Sequence, residues 1–149
     1  MKKTLSILVI ILIAALNSNA QLQKRYQLKK DPWNKDELIA PVTLAALIKN
    51  PKASQPIIFN IGVVENIKGA RHIGKASDKE NLEQFRKALS SIPKSNSIVV
   101  YCGCCPFDRC PNIRPAFEML KAQGFKNGKL LNLPTNIKVD WIDKGYPIE

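Results

Sequence analysis

Apolar positions divide the chain into short blocks that alternate between two kinds of spacing. Pro56-Ile-Ile-Phe-Asn-Ile61 and Ser97-Ile-Val-Val-Tyr101 are apolar runs of strand length, bounded by turn formers. Continuous rather than alternating apolarity fits strands covered on both faces. Lys129-Leu-Leu-Asn-Leu133 predicts a third, shorter strand. Helical spacing appears in the second half of Asp36 to Asn50, where Pro41 suits a first turn and Leu44, Leu47 and Ile48 share a face. It recurs over Asp78 to Ser90, with Leu82, Phe85 and Leu89, and over Ile113 to Gln123. Asn112 suits the N-cap of that last helix, Pro115 is tolerated in its first turn, and Gly124 ends it. A final short helix is expected over Ile137 to Lys144 with Trp141 on its apolar side, while Gly62 to Gly74 reads as irregular. Strands alternating with helices predict an α/β fold, with a mostly parallel central sheet and helices on both faces.

The N-terminal block follows neither pattern. Lys2 and Lys3 precede an unbroken apolar run from Leu5 to Leu16, and Ser18 and Ala20 supply small residues before Gln21. That layout is a secretory signal peptide over residues 1–20, the run being shorter than the ~20 apolar residues of a spanning helix. Residues 21–34 read as a loosely held basic arm and 35–149 as one domain. The net charge is +11, but the lysines are spread along the chain and form no basic stripe interleaved with aromatics, so nucleic acid is not an expected partner. Attraction to anionic substrates or to an acidic membrane surface uses the same charge better, and solubility alone accounts for it equally well. A monomer in the periplasm or secreted medium is the expected state.

All four cysteines of the chain fall within nine residues: Cys102, Cys104, Cys105 and Cys110. They lie between a strand end and a helix start, where backbone N–H groups and the helix dipole favour thiolate over thiol. One loop cannot staple distant segments, so a reactive or ligand-binding loop fits better than a disulfide framework. A bridge between neighbours Cys104 and Cys105 is strained, whereas Cys102–Cys105 and Cys105–Cys110 are sterically easier. Cys102 stands apart, because ligands in such sheets bind beyond the carboxyl ends of the strands. No cofactor is implied: the c-type haem pattern fails because Pro106 occupies the place of its histidine.

Over residues 35–148 the chain resembles a rhodanese-type domain. Pro56 to Gly62 resembles the family's first core strand, which usually ends in Asp-Val-Arg. Asn66-Ile-Lys-Gly-Ala-Arg-His-Ile73 resembles its His-Ile-Pro-Gly-Ala-x-Asn-Ile segment. Ile98-Val-Val-Tyr-Cys102 resembles the strand that delivers the nucleophile. Ala116 to Phe125 and Trp141-Ile-Asp-Lys-Gly-Tyr-Pro147 resemble the closing helix and the terminal Trp-x-x-x-Gly-Tyr-Pro. The resemblance implies a three-layer rhodanese-like fold and sulfur transfer. Cys102 would carry sulfane sulfur as a persulfide, taken from thiosulfate or a persulfide donor and passed to a thiol acceptor. The loop of Gly103, Cys104, Cys105, Pro106, Phe107, Asp108 and Arg109 would cradle the anion. From the residues alone, Arg109 reads as a clamp for that anion or as a solvated loop charge, and Asp108 as orienting the guanidinium or as a solvated turn residue.

The departures from the family pattern are specific. Its first-strand Asp and Arg become Asn60 and Gly62, its following His becomes Asn66, and the loop is longer and richer in cysteine. Cys104 keeps a Cys-x4-Arg spacing to Arg109, which makes it the second candidate nucleophile. Cys104, Cys105 and Cys110 can act as resolving thiols toward Cys102, with a thiol reductase as partner. The rival reading is a non-enzymatic thiol module whose loop binds copper or zinc or switches by disulfide formation, although adjacent cysteines seldom share one tetrahedron. His72, the single histidine, reads as structural or surface-exposed, and Trp33 and Trp141 as packing residues.

Overall fold

The structure is a computed structural model that describes residues 31–149. The leader over 1–20 and residues 21–30 of the arm lie outside the described residues. The regular elements are β1 (Leu38–Ile39), α1 (Pro41–Lys49), β2 (Ile57–Asn60), β3 (Ala70–His72), α2 (Lys79–Ser90), β4 (Ile98–Tyr101), α3 (Ile113–Ala122), β5 (Gly128–Leu131) and α4 (Ile137–Asp140). Single 3-10 turns cover Lys35–Glu37, Phe107–Arg109 and Ile142–Lys144.

The five strands form one all-parallel sheet in the order β1-β5-β4-β2-β3. Side chains of β4 alternate between the two faces, as strand geometry demands. Ile98 and Val100 pack with Phe59 and Leu130 against Phe85 and Leu89 of α2 and Phe117 and Leu120 of α3. Val99 and Tyr101 pack with Ile58 and Leu131 against Leu44 and Ala45 of α1, and against Ile137 and Trp141. Both faces are therefore covered and all four residues of β4 are buried, which explains its unbroken apolar sequence. The fold is α/β in three layers, as the spacing predicts. The Phe59 and Phe85 rings meet edge to face at 5.2 Å, tying sheet to helix at the centre of one core.

Two differences from the sequence reading concern the sheet edges. β1 has two residues and β3 three, and Arg71 and His72 of β3 are exposed. Neither is long or apolar enough to show a strand period, so the segment expected to be irregular in fact carries an edge strand. The last four residues assigned to the arm also touch the domain. Trp33 is buried, with its ring 6.1 Å from Phe117 and 6.0 Å from Phe107, and the Asp31 carboxylate pairs with Arg114.

Register positions the functional loop. Asn60 at the end of β2 is paired with Tyr101 at the end of β4, so the next residues of both strands emerge side by side. The buried Tyr101 hydroxyl accepts from the Ile67 amide at 2.9 Å and donates to the Glu65 carbonyl at 3.1 Å, holding the segment after β2 against β4. Burial pushes this phenol well above its usual range.

Candidate active site

Cys102 directly follows β4 and is 1% exposed. Gly103 then takes φ +75°, a conformation that L side chains rarely adopt. A side chain there would also strike Ile137, whose Cβ lies 2.7 Å from the position of an added Cβ. The Gly103 carbonyl accepts from the Ile137 amide at 2.8 Å, anchoring the turn on the first residue of α4. This turn sets the Cys102 and Cys104 sulfurs 3.2 Å apart. The 3-10 turn Phe107–Arg109 returns the chain, so that Cys110, 2% exposed, brings its sulfur to 3.8 Å from that of Cys104. The Sγ atoms of Cys102, Cys104 and Cys110 all lie within 4.8 Å of one another. No disulfide joins any of the four cysteines.

The Cys102 sulfur accepts a hydrogen bond from Asn112 Nδ2 at 3.2 Å and lies 3.2 Å from the Cys104 sulfur. The nearby Cys110 thiol and the Cys104 backbone amide also favour its charged form. Led by the Cys110 contact, these donors outweigh burial and bring Cys102 down to about 5, so it is a thiolate at neutral pH. Burial pushes the Cys104 thiol up to about 12, with the neighbouring sulfurs adding to the effect. The neighbouring Cys102 sulfur, together with burial, pushes the Cys110 thiol strongly up. The cluster thus contains one thiolate and thiols that solvate it.

Two residues complete the pocket around that thiolate. Gly62, immediately beyond β2, has no Cβ because none fits: an added one would stand 2.6 Å from Cys102 Sγ and 2.8 Å from the Cys102 carbonyl. Asn112 is 3% exposed and joins two segments, with Nδ2 on Cys102 and Oδ1 accepting from the Ser77 amide at 3.0 Å. Its expected capping bond to the helix is absent, and its backbone is helical rather than extended. Asn112 is the site residue that sequence reasoning assigned to another task. A polar residue two places after the last cysteine was the available signal.

Each expected loop residue has a definite place. Cys105 Sγ lies 3.3 Å from Cys104 but stands outside the three-sulfur cluster. The sequence reading favoured Cys102–Cys105 and Cys105–Cys110 as bridge partners. The turn at Gly103 instead places Cys104 against Cys102. The amides of Phe107 and Arg109 donate to the carbonyls of Leu133 and Pro106, and Pro106 has no N–H. Pro106 and Phe107 are half-buried, Phe107 beneath Trp33. Asp108 and Arg109 are exposed and, among the described residues, form no ion pair with each other or with another group. His72 sits exposed on β3.

The departures noted in the first-strand segment are bonded together. Asn60 is fully buried; its Oδ1 accepts from the Gly62 amide at 3.0 Å, and its Nδ2 donates to the Val64 carbonyl and to Asn66 Oδ1 at 2.8 and 3.0 Å. Asn60 and Asn66 therefore shape the turn that presents Gly62 to Cys102.

No model of a known protein family matches this sequence, and no curated protein is significantly similar to it. Among the described residues no helix is long and apolar enough to cross a membrane.

Proposed function

We propose that this chain is an exported sulfurtransferase of rhodanese type, carrying sulfane sulfur on Cys102. The observation that carries the reading is the seating of a single thiolate at the carboxyl end of the central strand, ringed by N–H and S–H donors. In the loading step the Cys102 thiolate attacks the outer sulfur of thiosulfate. The sulfur–sulfur bond of thiosulfate breaks, sulfite leaves with the bonding pair, and a persulfide anion remains on Cys102. In unloading, an acceptor thiolate attacks the outer sulfur and Cys102 departs as thiolate. Neither step needs an added oxidant, reductant or proton source. The donors that hold the Cys102 thiolate also stabilise it as leaving group.

In this reading Cys104 has a part as well. Cys102 is buried whereas Cys104 is exposed, so sulfur reaches solvent past Cys104. Single-turnover mixing of the reduced, metal-free chain with thiosulfate tests the loading step. One equivalent of sulfite per chain is expected, with none from Cys102→Ser. Equal sulfite release from Cys102→Ser, with release lost in Cys104→Ser, would transfer the role of nucleophile to Cys104.

A further inference from the structure

The three-sulfur cluster supports a second chemistry that sulfur transfer does not use. We propose that the Sγ atoms of Cys102, Cys104 and Cys110 bind one monovalent copper ion in a three-coordinate, all-sulfur site, with Cys105 outside the coordination sphere.

The distances come first. An ion equidistant from three sulfurs at a bond length of roughly 2.3 Å requires sulfur–sulfur separations of about 4.0 Å. The Cys104–Cys110 separation is 3.8 Å and the Cys102–Cys104 separation 3.2 Å, and no pair in the cluster exceeds 4.8 Å. Small rotations of side chains already on one side of the loop close the site.

The donor set then selects the ion. Thiolate sulfur alone, with no carboxylate or imidazole in the group, favours a soft d10 cation. A structural zinc site fills four positions, and this cluster offers three. Cys105 cannot supply the fourth, because the Cys104–Cys105 neighbour geometry keeps its sulfur out of the cluster.

The surroundings match what thiolate ligands need. Asn112 Nδ2 donates to the Cys102 sulfur at 3.2 Å, and Asn112 is itself held by the Ser77 amide on its Oδ1. Such donors orient metal-binding thiolates and disperse their charge. Entry has a route, since Cys104 is exposed while Cys102 and Cys110 are buried. Binding exchanges thiol protons for the cation and changes no oxidation state. Because Cys102 is shared, copper and persulfide exclude each other at this loop. The proposal itself stands without sulfur transfer.

The test titrates the reduced full-length chain, under anaerobic conditions, with copper(I) held as its bicinchoninate complex. One equivalent is expected to pass to the protein, and X-ray absorption should show three sulfur neighbours. Cys104→Ser and Cys110→Ser should each weaken retention by roughly a factor of ten or more, and Asn112→Ala by about tenfold or more, as expected for lost ligands and a lost ligand-orienting group. Cys105→Ser should leave retention unchanged. Thermal melts of the apo variants accompany the titration, and the exposed Cys104 supplies a variant whose loss cannot be assigned to misfolding. Failure to withdraw copper from bicinchoninate, two-sulfur coordination, or an equal loss in Cys105→Ser would overturn the proposal. So would zinc occupancy that copper cannot displace.

Discussion

Replacing Gly62 by alanine puts the packing of the site to a stringent test. The added Cβ would stand 2.6 Å from Cys102 Sγ and 2.8 Å from the Cys102 carbonyl oxygen, where ordinary contact begins at 3.4 Å. The sulfur must therefore retreat by about 0.8 Å (3.4 minus 2.6) or the two strands must part. Retreat is opposed, because Cys102 Sγ already lies 3.2 Å from both Cys104 Sγ and Asn112 Nδ2. Parting is opposed by the ladder, which continues past the strand end in the 2.9 Å bond from the Ile61 amide to the Tyr101 carbonyl. Overpacking of this kind costs about 1–3 kcal/mol. For a domain near this size that corresponds to a fall in Tm on the order of 5–10 °C. Calorimetry reads the loss, and iodoacetamide labelling of Cys102 with peptide mapping reads the displaced sulfur as a shifted pH profile. An alanine variant with unchanged Tm and an unchanged Cys102 profile would refute this account of Gly62.

Other perturbations have equally definite outcomes. Asn112→Ala removes one charge-assisted donor from the Cys102 thiolate, a bond worth about 1.5–3 kcal/mol, so the labelling midpoint of Cys102 should rise by about one pH unit or more; an unmoved midpoint would remove Asn112 from the site. Labelling of Cys102 in the parent chain should be flat around neutral pH and fall as pH drops through about 5. Because this folded pKa lies below the unfolded value of about 8.5, the unfolded chain binds more protons between the two. Stability from Cys102 is thus present above the unfolded value and lost as pH falls toward 5. Cys104 acts in the opposite sense, its contribution being complete below the unfolded value and lost as pH rises toward about 12. Urea melts across pH should therefore show a maximum that flattens in Cys102→Ser. Tyr101→Phe leaves the buried Ile67 amide without its acceptor, which should cost about 1–3 kcal/mol in chemical denaturation while leaving the Cys102 labelling profile in place.

The parts of the fold legible from sequence are those where burial and local pattern agree. β2 and β4 announce themselves because both faces are covered, which leaves no polar period to confuse the reading. β1 and β3 do not, since two and three residues at a sheet edge carry too little pattern. In the site, the strand end marks Cys102 from sequence alone. Its neighbours are less legible, because the pairing of sulfurs depends on the positive φ of Gly103, and Asn112 satisfies a tertiary contact in place of the cap that its position predicts. Arg109 lies exposed in the 3-10 turn, a position compatible with an anion clamp and with a solvated charge alike, and spacing alone does not separate the two.

The central claim is that Cys102 holds transferable sulfur. Intact-mass measurement of the reduced, metal-free chain after brief exposure to thiosulfate, with the excess removed, addresses it directly. The account predicts a gain of one sulfur atom, located on Cys102 by peptide mapping, released by a small thiol and absent in Cys102→Ser. No mass gain with thiosulfate or a persulfide donor, while Cys102 remains reactive toward iodoacetamide, would contradict it.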